Sequence, residues 1–222
     1  MDKYNIVMPQ EVKDIIKQIE AAGFEAFAVG GCVRDCILGR TPQDWDITTS
    51  ALPSQIKEIF ARTIDTGIQH GTVTVMIGKT GYEITTYRID GEYKDCRHPE
   101  NVEFSSDLKD DLKRRDFTIN AMAYNDSTGL VDEFDGIIRC VGDAKERFTE
   151  DALRMMRAIR FSAQLGFDIE ENTYNAISKL SPSISHVSME RIQVELVKTL
   201  LSDNPGYVMR FYETGLFKYV LP

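Results

Sequence analysis

Two adjacent glycines, Gly30 and Gly31, separate a short predicted strand at residues 24–29 (FEAFAV) from a segment of helical character that ends near Gly39. Glycine adopts backbone conformations that other residues rarely enter, so such a pair marks a tight connection from a strand to a helix. The residues before the strand have the spacing of an amphipathic helix bounded by a proline and a glycine: Pro9, Val12, Ile15, Ile16, Ile19 and Gly23. The first forty residues therefore predict helix, strand and helix in that order.

The next segment continues to mix strands and helices. Residues 44–48 (DWDIT) predict a strand, and residues 53–60, which begin with a proline, predict another helix. Residues 72–77 and 82–87 predict two strands joined by a short loop, 78–81, that holds two glycines. Strands that alternate with helices and then form a meander predict a mixed sheet in an α/β or α+β domain.

The character of the sequence changes after residue 148. Residues 89–108 are polar and irregular, which predicts a long loop of a kind that is often functional. From Thr149 a capped helix is predicted to Leu165, and further helical segments follow near residues 170–179, 189–201 and 205–213. We therefore predict two domains, residues 1–148 with the mixed sheet and residues 149–222 with helices only.

The chain carries 26 Lys and Arg against 35 Asp and Glu, a formal net charge of −9. Phosphate contacts dominate the affinity of nucleic-acid binders, so this balance argues against tight RNA binding by the chain alone. No apolar run is long enough to span a bilayer or has the form of a secretory signal. Cys32, Cys36, Cys96 and Cys140 show neither zinc spacing nor disulfide density. The expected context is cytoplasmic and reduced, without membrane or disulfide partners, and the oligomeric state stays open.

The strongest motif joins the glycine pair to Asp44-Trp45-Asp46. Side chains alternate along a strand, so Asp44 and Asp46 point to one side and Trp45 to the other. Two carboxylates on one side repel each other unless a cation lies between them, and Mg²⁺ is an oxygen-seeking ion that also bridges phosphates. The glycine N–H groups at a helix start can seat a triphosphate, and Arg34 can add charge to it. Either half alone is more typical of a turn or of solvated aspartates, but together they predict a Mg²⁺-dependent nucleotide site.

Two further segments add candidate residues. Glu83 lies between Tyr82 and Ile84 on the second hairpin strand, as either a third carboxylate near the metal or a solvated strand residue. Arg115 beside Asp116 suits phosphate binding by a guanidinium that a carboxylate holds in place. The alternative for this segment is an exposed basic turn capped by Asp116.

Residues 150–160 predict a charged helix. Each three-residue step turns a helix by about 300°, so Asp151, Arg154 and Arg157 share a face while Arg160 lies roughly on the opposite side. The alternative to a functional role is an ordinary charged surface with one weak ion pair.

Taken together, the motifs resemble the bacterial class II tRNA CCA-adding enzymes, which share a head domain with bacterial poly(A) polymerases. Residues 30–35 (GGCVRD) with 44–46 (DWD) are similar to the first family motif, and residues 114–121 (RRDFTINA) to the second. Residues 150–154 (EDALR) resemble the nucleotide-selecting motif, and residues 190–196 (ERIQVEL) the last one. The resemblance covers nearly the whole chain in the family's order.

The resemblance implies a polymerase-β-like nucleotidyltransferase head of α+β class followed by an all-α neck. The implied reaction is attack of the 3′-hydroxyl of tRNA on the α-phosphorus of CTP or ATP, with release of pyrophosphate. Two Mg²⁺ ions would be held by Asp44 and Asp46, and phosphates by the glycine pair, Arg34 and Arg115. The alternatives are a poly(A) polymerase on the same head and a catalytically silent nucleotide- or RNA-binding module.

The resemblance also implies roles for the charged helix and for the polar loop. A carboxylate only accepts hydrogen bonds and a guanidinium only donates them. Asp151 with Arg154 would therefore fit cytosine and adenine, which present an amino donor beside a ring-nitrogen acceptor, and reject guanine and uracil. Arg157 and Arg160 are further substrate-binding candidates. The loop at 89–102 is expected to help switch between nucleotides, and tRNA binding is expected to depend on body and tail regions outside these 222 residues.

Overall fold

A computed structural model describes residues 4–91 and 101–221 of the chain. The chain forms two compact units. The first consists of Met1–Asp90, Val102–Arg115 and Ile119–Phe134, and the second of Gly91–Asn101, Asp116–Thr118 and Asp135–Pro222. The main change from the first unit to the second comes after residue 134, whereas the domain boundary after residue 148 stays a prediction.

All described strands lie in the first unit. In chain order they are β1 Ala26–Val29, β2 Ile47–Thr49, β3 Thr63–Gly67, β4 Thr72–Ile77, β5 Thr80–Thr86, β6 Arg88–Asp90, β7 Val102–Phe104, β8 Ala123–Asn125 and β9 Gly129–Val131. Seven of them form one sheet in the order β3-β4-β5-β2-β1-β8-β9, and β6 with β7 forms a separate hairpin. Neighbours in the sheet are antiparallel except β2 and β5, which are parallel. The predicted mixed sheet of an α+β head is confirmed.

The helices of the first unit are α1 Gln10–Ala21, α2 Gly31–Ile37, α3 Pro53–Ile59 and α4 Leu108–Lys113. The predicted apolar stripe of α1 is buried in the core of this unit, with Val12, Ile15, Ile16 and Ile19 at 0 to 3% exposure. Burial of these four aliphatic side chains holds α1 against the sheet, because each fully buried side chain of this size stabilises the folded state by about 1.5–3 kcal/mol.

The predicted hairpin at residues 72–87 is confirmed. Strands β4 and β5 pair up to Ile77 and Thr80, so the connection is a two-residue turn of Gly78 and Lys79. Gly78 has φ +62°, a conformation that glycine enters without strain and that tight hairpin turns require. Strand β5 begins two residues earlier than the sequence indicated.

Two sequence predictions about strands and loops need correction. The strand predicted from Asp44 begins only at Ile47. Residues 89–108 are not one irregular loop, because their two ends form the antiparallel hairpin β6–β7 and helix α4 begins at Leu108. Residues 92–100, with Cys96 and most of the predicted switching loop, lie outside the described residues. The three described cysteines, Cys32, Cys36 and Cys140, are free thiols.

The second unit is helical. Its helices are α5 Ala144–Glu150, α6 Leu153–Leu165, α7 Glu171–Leu180, α8 Met189–Leu200, α9 Met209–Glu213 and α10 Phe217–Val220. Phe117 is fully buried in this unit, forms a bridge with Cys140, and its ring centroid lies 5.9 Å from that of Phe161. Within residues 4–91 and 101–221, no helix has the length and apolar character needed to cross a bilayer.

The helix predicted from Thr149 to Leu165 is in fact two helices. Helix α5 begins at its cap Asp143, whose carboxylate accepts from the N–H groups of Lys145 and Glu146. It ends at Glu150, and α6 begins at Leu153 and ends at Gly166. Thr, Glu and Asp at residues 149–151 are typical of a helix start. Asp151 does accept the N–H of Leu153 at the start of α6, but Asp143 caps the separate helix that precedes it.

Candidate active site

Asp44 and Asp46 lie directly before β2 in the first unit. The carbonyl of Asp46 accepts the N–H of Val29 at 3.0 Å, which holds this part of the chain against β1. The side chains of both aspartates are exposed, whereas that of Trp45 is only 9% exposed. The alternation expected of a strand therefore continues into the residues that precede it, with both carboxylates on the solvent side.

Glu83 lies beside Asp46 because of the parallel pairing of β2 with β5. Ile47 is in register with Ile84, so the preceding residues, Asp46 and Glu83, are also neighbours and point to the same side. A cleft of about 630 Å³ opens at this place, with three carboxylates and a tryptophan in its wall. Its lining residues are Pro9, Pro42, Gln43, Asp44, Trp45, Asp46, Thr80, Gly81, Tyr82 and Glu83.

The electrostatics of this cleft identify Asp46 as its central carboxylate. Partial removal of water raises the pKa of Asp46, the negative charges of Glu83 and Asp44 raise it further, and Arg115 acts in the opposite direction. Crowded carboxylates are a chemical environment that a divalent cation relieves. As placed, no three His, Cys, Asp or Glu side chains among residues 4–91 and 101–221 form a complete metal-binding group.

The glycine pair forms the connection from β1 to α2. Gly30 has φ +84°, and an added Cβ would lie 3.3 Å from Nη1 of Arg115. The Gly30 N–H donates to the carbonyl of Met122 at 3.0 Å, so it is already used within the fold, contrary to its predicted role as a phosphate donor. Gly30 instead provides the left-handed backbone and the space that Arg115 occupies.

We expect Gly30→Ala to weaken nucleotide binding in addition to its effect on stability. The positive φ costs about 1–3 kcal/mol for a residue with a side chain, and the new methyl group would also displace Arg115. Gly23→Ala is the matched control, since Gly23 has φ +90° and its Cβ would meet nothing within 4 Å. Thermal unfolding should show similar losses for both variants, and a CTP titration should show weaker binding for Gly30→Ala alone. Equal CTP affinity of the two variants would contradict the role given to this contact.

The two predicted phosphate-binding arginines meet at Asn120. Arg34 donates through Nη1 to Oδ1 of Asn120 at 2.6 Å and through Nε and Nη2 to Asp35 at 2.9 and 2.8 Å. Nη1 of Arg115 lies 3.5 Å from the carbonyl of Asn120. The short 3₁₀ helix that ends at Asn120 therefore brings both guanidinium groups to the N-terminal side of α2.

The carboxylate that holds Arg115 is not the predicted one. Nη2 of Arg115 donates to Oδ2 of Asp111 at 2.9 Å, whereas Asp116 accepts from Arg157 in the second unit. The alternative of an exposed basic turn is also wrong, because the side chains of Arg114 and Arg115 are each 18% exposed. Sequence reasoning missed Asp111, although its spacing of three and four residues before the two arginines is typical of ion pairs along one helix.

In the second unit, Asp151 and Arg154 are each held by another charged residue. Asp151 lies between α5 and α6; its carboxylate accepts from the N–H of Leu153 at 3.0 Å and pairs with Arg191 at 2.8 Å. Arg154 donates to Glu150 at 2.5 Å. The pair is therefore oriented by neighbours that the helical spacing alone did not indicate.

Arg157 and Arg160 are engaged inside the second unit. Arg157 contacts Asp116 through Nε at 2.8 Å and Nη2 at 2.5 Å, and this carboxylate raises the pKa of the guanidinium. Arg160 is only 7% exposed, donates to Glu195 at 2.5 Å, and lies 3.9 Å from the ring centroid of Phe161. These contacts connect α6 with other parts of the same unit, and substrate binding by either arginine stays a prediction.

The chain matches two described families over most of its length. Residues 26–140 match the Poly A polymerase head domain, and residues 166–222 match the probable RNA and SrmB-binding site of polymerase A. Among curated proteins, it is 51% identical over 223 residues to the CCA-adding enzyme of Ligilactobacillus salivarius, covering 96% of this chain and 55% of the relative. The CCA-adding enzyme of Enterococcus faecalis is 49% identical, with 96% and 55% coverage. The chain thus spans about half the length of the curated relatives it matches.

Solved structures give the same answer and confirm the predicted resemblance. The crystal structure of the Bacillus stearothermophilus CCA-adding enzyme in complex with CTP aligns with a TM-score of 0.87 at 42% identity, covering 96% of this chain and 54% of that one. The Thermotoga maritima CCA-adding enzyme complexed with tRNA aligns with a TM-score of 0.78 at 26% identity, with 97% and 53% coverage. From its sheet, its glycine turn with the carboxylates beside it and these matches together, the chain belongs to the family of the poly(A) polymerase head domain.

Proposed function

We propose that this chain is the catalytic and nucleotide-selecting part of a template-independent RNA nucleotidyltransferase that adds C and A to the 3′ end of tRNA. The observation that carries the proposal is the group of Asp44, Asp46 and Glu83 in one cleft of the head. The proposal is supported by relatives named CCA-adding enzymes and by related structures described with CTP, with a primer tRNA and ATP analogue, and with tRNA. Action on tRNA agrees with the cytoplasmic location that the sequence predicts.

Residues of the head would bind the triphosphate of the incoming nucleotide during transfer. The 3′-hydroxyl of the RNA attacks the α-phosphorus, the bond to the β-phosphate oxygen breaks, and pyrophosphate leaves. Arg34 and Arg115 supply positive charge for the phosphates, and Arg34 is oriented before substrate arrives through Asp35 and Asn120. Preorganised donors of this kind stabilise charge without rearranging during the reaction.

Mg²⁺ fits the carboxylates of this site. Asp44 and Asp46 would hold it, because their exposed oxygen atoms are the ligands that this ion prefers. Burial raises the pKa of Asp46, and the negative charges of Glu83 and Asp44 raise it further. When bound, the ion would neutralise triphosphate charge and stabilise the attacking and leaving oxygens. Glu83 would add negative charge beside Asp46.

Asp151 and Arg154 would select the base. The carboxylate of Asp151 would accept from the amino group of cytosine or adenine, and Arg154 would donate to the adjacent ring nitrogen. Guanine and uracil would place a carbonyl acceptor against the Asp151 carboxylate and an N–H donor against the Arg154 guanidinium, so neither hydrogen bond could form. Arg191 and Glu150 hold the two side chains, which limits their freedom to adapt to the wrong base.

The experiment that tests the proposal uses a tRNA transcript without its terminal CCA. It is incubated with the chain, Mg²⁺, and CTP or ATP separately and together, and the products are resolved at single-nucleotide length. Addition of two C and then one A supports the proposal. Long A tails from ATP would identify a poly(A) polymerase, and no incorporation into tRNA or any other RNA would identify a silent module.

We expect the 222-residue chain to bind tRNA weakly, because its net charge is −9 and its relatives are about twice as long. The dissociation constant at moderate salt should lie in the non-specific range of about 10⁻⁶ to 10⁻⁴ M. A gel-shift titration checks this, with a homopolymer RNA of equal length as the control. Nanomolar binding of tRNA but not of the homopolymer would contradict the expectation.

A further inference from the structure

Asp111 is a fully buried carboxylate that the proposed reaction does not use. Its side chain lies on α4, and both oxygens accept hydrogen bonds. Oδ1 accepts from Nε and Nη2 of Arg114 at 2.9 and 2.6 Å. Oδ2 accepts from Nη2 of Arg115 at 2.9 Å and from the hydroxyl of Thr48 at 3.2 Å. One buried negative charge thus holds two guanidinium groups and one strand.

The contact with Thr48 connects Asp111 to the strand that follows the catalytic aspartates. Thr48 is in β2, two residues after Asp46, so its side chain leaves the chain on the same side as that of Asp46. The Asp111 side chain therefore fixes Arg115 relative to the carboxylate cleft.

Three groups surround Arg115. Nη2 donates to the Asp111 carboxylate, and Nη1 lies near the Asn120 carbonyl and in the space where Gly30 has no side chain. Nε is buried without a hydrogen-bond partner among the described residues. The strongest of these contacts is the one with Asp111, since it is short and joins two charged groups. Burial acts to raise the pKa of Asp111, but Arg114 and Arg115 outweigh it and hold the pKa below its usual range, so the carboxylate is charged at neutral pH.

We propose that Asp111 is a positioning residue that orients Arg115 at the glycine turn so that its guanidinium can bind the phosphates of the incoming nucleotide. This inference rests on the proposed nucleotidyltransferase function. Asp111 itself would touch neither substrate nor metal. Its effect would be specific for the phosphate groups, because the residue it orients is the predicted phosphate ligand and not a base-selecting residue.

Asp111→Asn tests the proposal, with Asp110→Asn as the matched control. Asp110 is the preceding residue of α4, but its carboxylate accepts from the Ser105 hydroxyl at 2.8 Å and pairs with Lys113 at 3.7 Å, and within the described part of the chain it forms no hydrogen bond or ion pair with Arg115. The readout is the fluorescence of Trp45, the single tryptophan, which lines the same cleft as Asp46. Titrations with CTP, CDP and CMP in Mg²⁺ measure how affinity rises with the number of phosphates.

For Asp111→Asn we expect CTP affinity to fall about ten- to a hundredfold, the scale of one lost hydrogen bond between charged groups. CMP affinity should change much less, so the CTP-to-CMP ratio should collapse, and Asp110→Asn should keep the wild-type ratio. In a transfer assay the same loss should appear as a raised KM for CTP more than as a lowered kcat. A folded Asp111→Asn protein with the wild-type ratio would overturn the proposal.

A second variant guards against misfolding, since removing Asp111 leaves two buried positive charges. The double variant Asp111→Asn with Arg114→Gln removes one charge of each sign. Asp90, the other carboxylate near Arg114, still has its ion pair with Arg88 at 2.9 Å in this variant. The ratio of CTP affinity to CMP affinity should fall in the double variant as it does in Asp111→Asn. An unchanged ratio, or failure of both variants to fold, would mean that Asp111 is only structural. A wild-type chain that binds CTP but transfers no nucleotide refutes the proposed function and still allows the comparison, whereas no CTP binding overturns both.

Discussion

Asp46→Asn is expected to lower nucleotide transfer by about a thousandfold or more without unfolding the protein. A metal site contributes several kcal/mol of transition-state stabilisation, and about 1.4 kcal/mol corresponds to a factor of ten in rate. Asp46 is the carboxylate with both Asp44 and Glu83 as neighbours, so its loss should affect metal binding most directly. Primer extension on tRNA with CTP at saturating Mg²⁺ measures the effect.

The same variant should keep or gain thermal stability when no divalent cation is present. The raised pKa of Asp46 means that the folded state binds a proton more tightly than the unfolded state does. The stabilising effect of that proton is lost as pH rises through the folded-state pKa, so the ionised carboxylate is a cost at neutral pH. Asparagine carries no charge and avoids this cost.

Melting temperatures with EDTA and with Mg²⁺ test both parts of this expectation. In EDTA, Asp46→Asn should unfold at or above the wild-type temperature, and Mg²⁺ should stabilise the wild type more than the variant. Asp65→Asn is the control, because Asp65 is an exposed aspartate whose partner is Lys57. Mg²⁺-dependent transfer within tenfold of the wild type in folded Asp46→Asn would rule out its role as a metal ligand.

Asp151→Asn is expected to reduce the preference for CTP over UTP, and for ATP over GTP, by about ten- to a hundredfold. An amide both accepts and donates, so it no longer penalises a base whose pattern is reversed, and each mispaired buried group costs about 1–3 kcal/mol. Asparagine can still accept the N–H of Leu153, which preserves the start of α6. Competition assays with pairs of nucleotides measure the ratios.

Asp168→Asn is the control for base selection, since Asp168 lies in the same unit, pairs with Arg210 at 3.3 Å, and is 90% exposed. An active Asp151→Asn protein with unchanged nucleotide ratios would mean that other residues select the base.

Exchange of the pair, Asp151→Arg with Arg154→Asp, should shift preference toward GTP and UTP. The exchange needs Arg191→Glu and Glu150→Arg as well, because the new side chains would otherwise face like charges.

Local features of the fold were predictable from the sequence, and the pairing of distant segments was not. The stripe of α1 and the glycine turn of the β4–β5 hairpin depend on neighbouring residues, so periodicity and turn chemistry predict both. The parallel register of β2 with β5 joins residues far apart in the chain, and only this register makes Glu83 a neighbour of Asp46.

The candidate site shows the same division. The aspartates, the glycine pair and the arginines stand out by residue type and spacing. The partner of each arginine does not, because several carboxylates lie within reach along the chain. Adjacency in the sequence favours Asp116 as the partner of Arg115, but the Arg115 guanidinium instead contacts Asp111, four residues earlier.

Residues Asp116–Thr118 belong to the second unit although the segments before and after them belong to the first. This limits how the protein can be divided into separately expressed fragments. Phe117 belongs to the core of the second unit, yet it is encoded within the stretch that builds the first. A fragment that starts at residue 135 would lack this ring and leave a void beside Phe161, and a fragment that ends at residue 134 would carry the ring without its partners. Neither half can therefore be expressed as an uninterrupted piece with a complete interior.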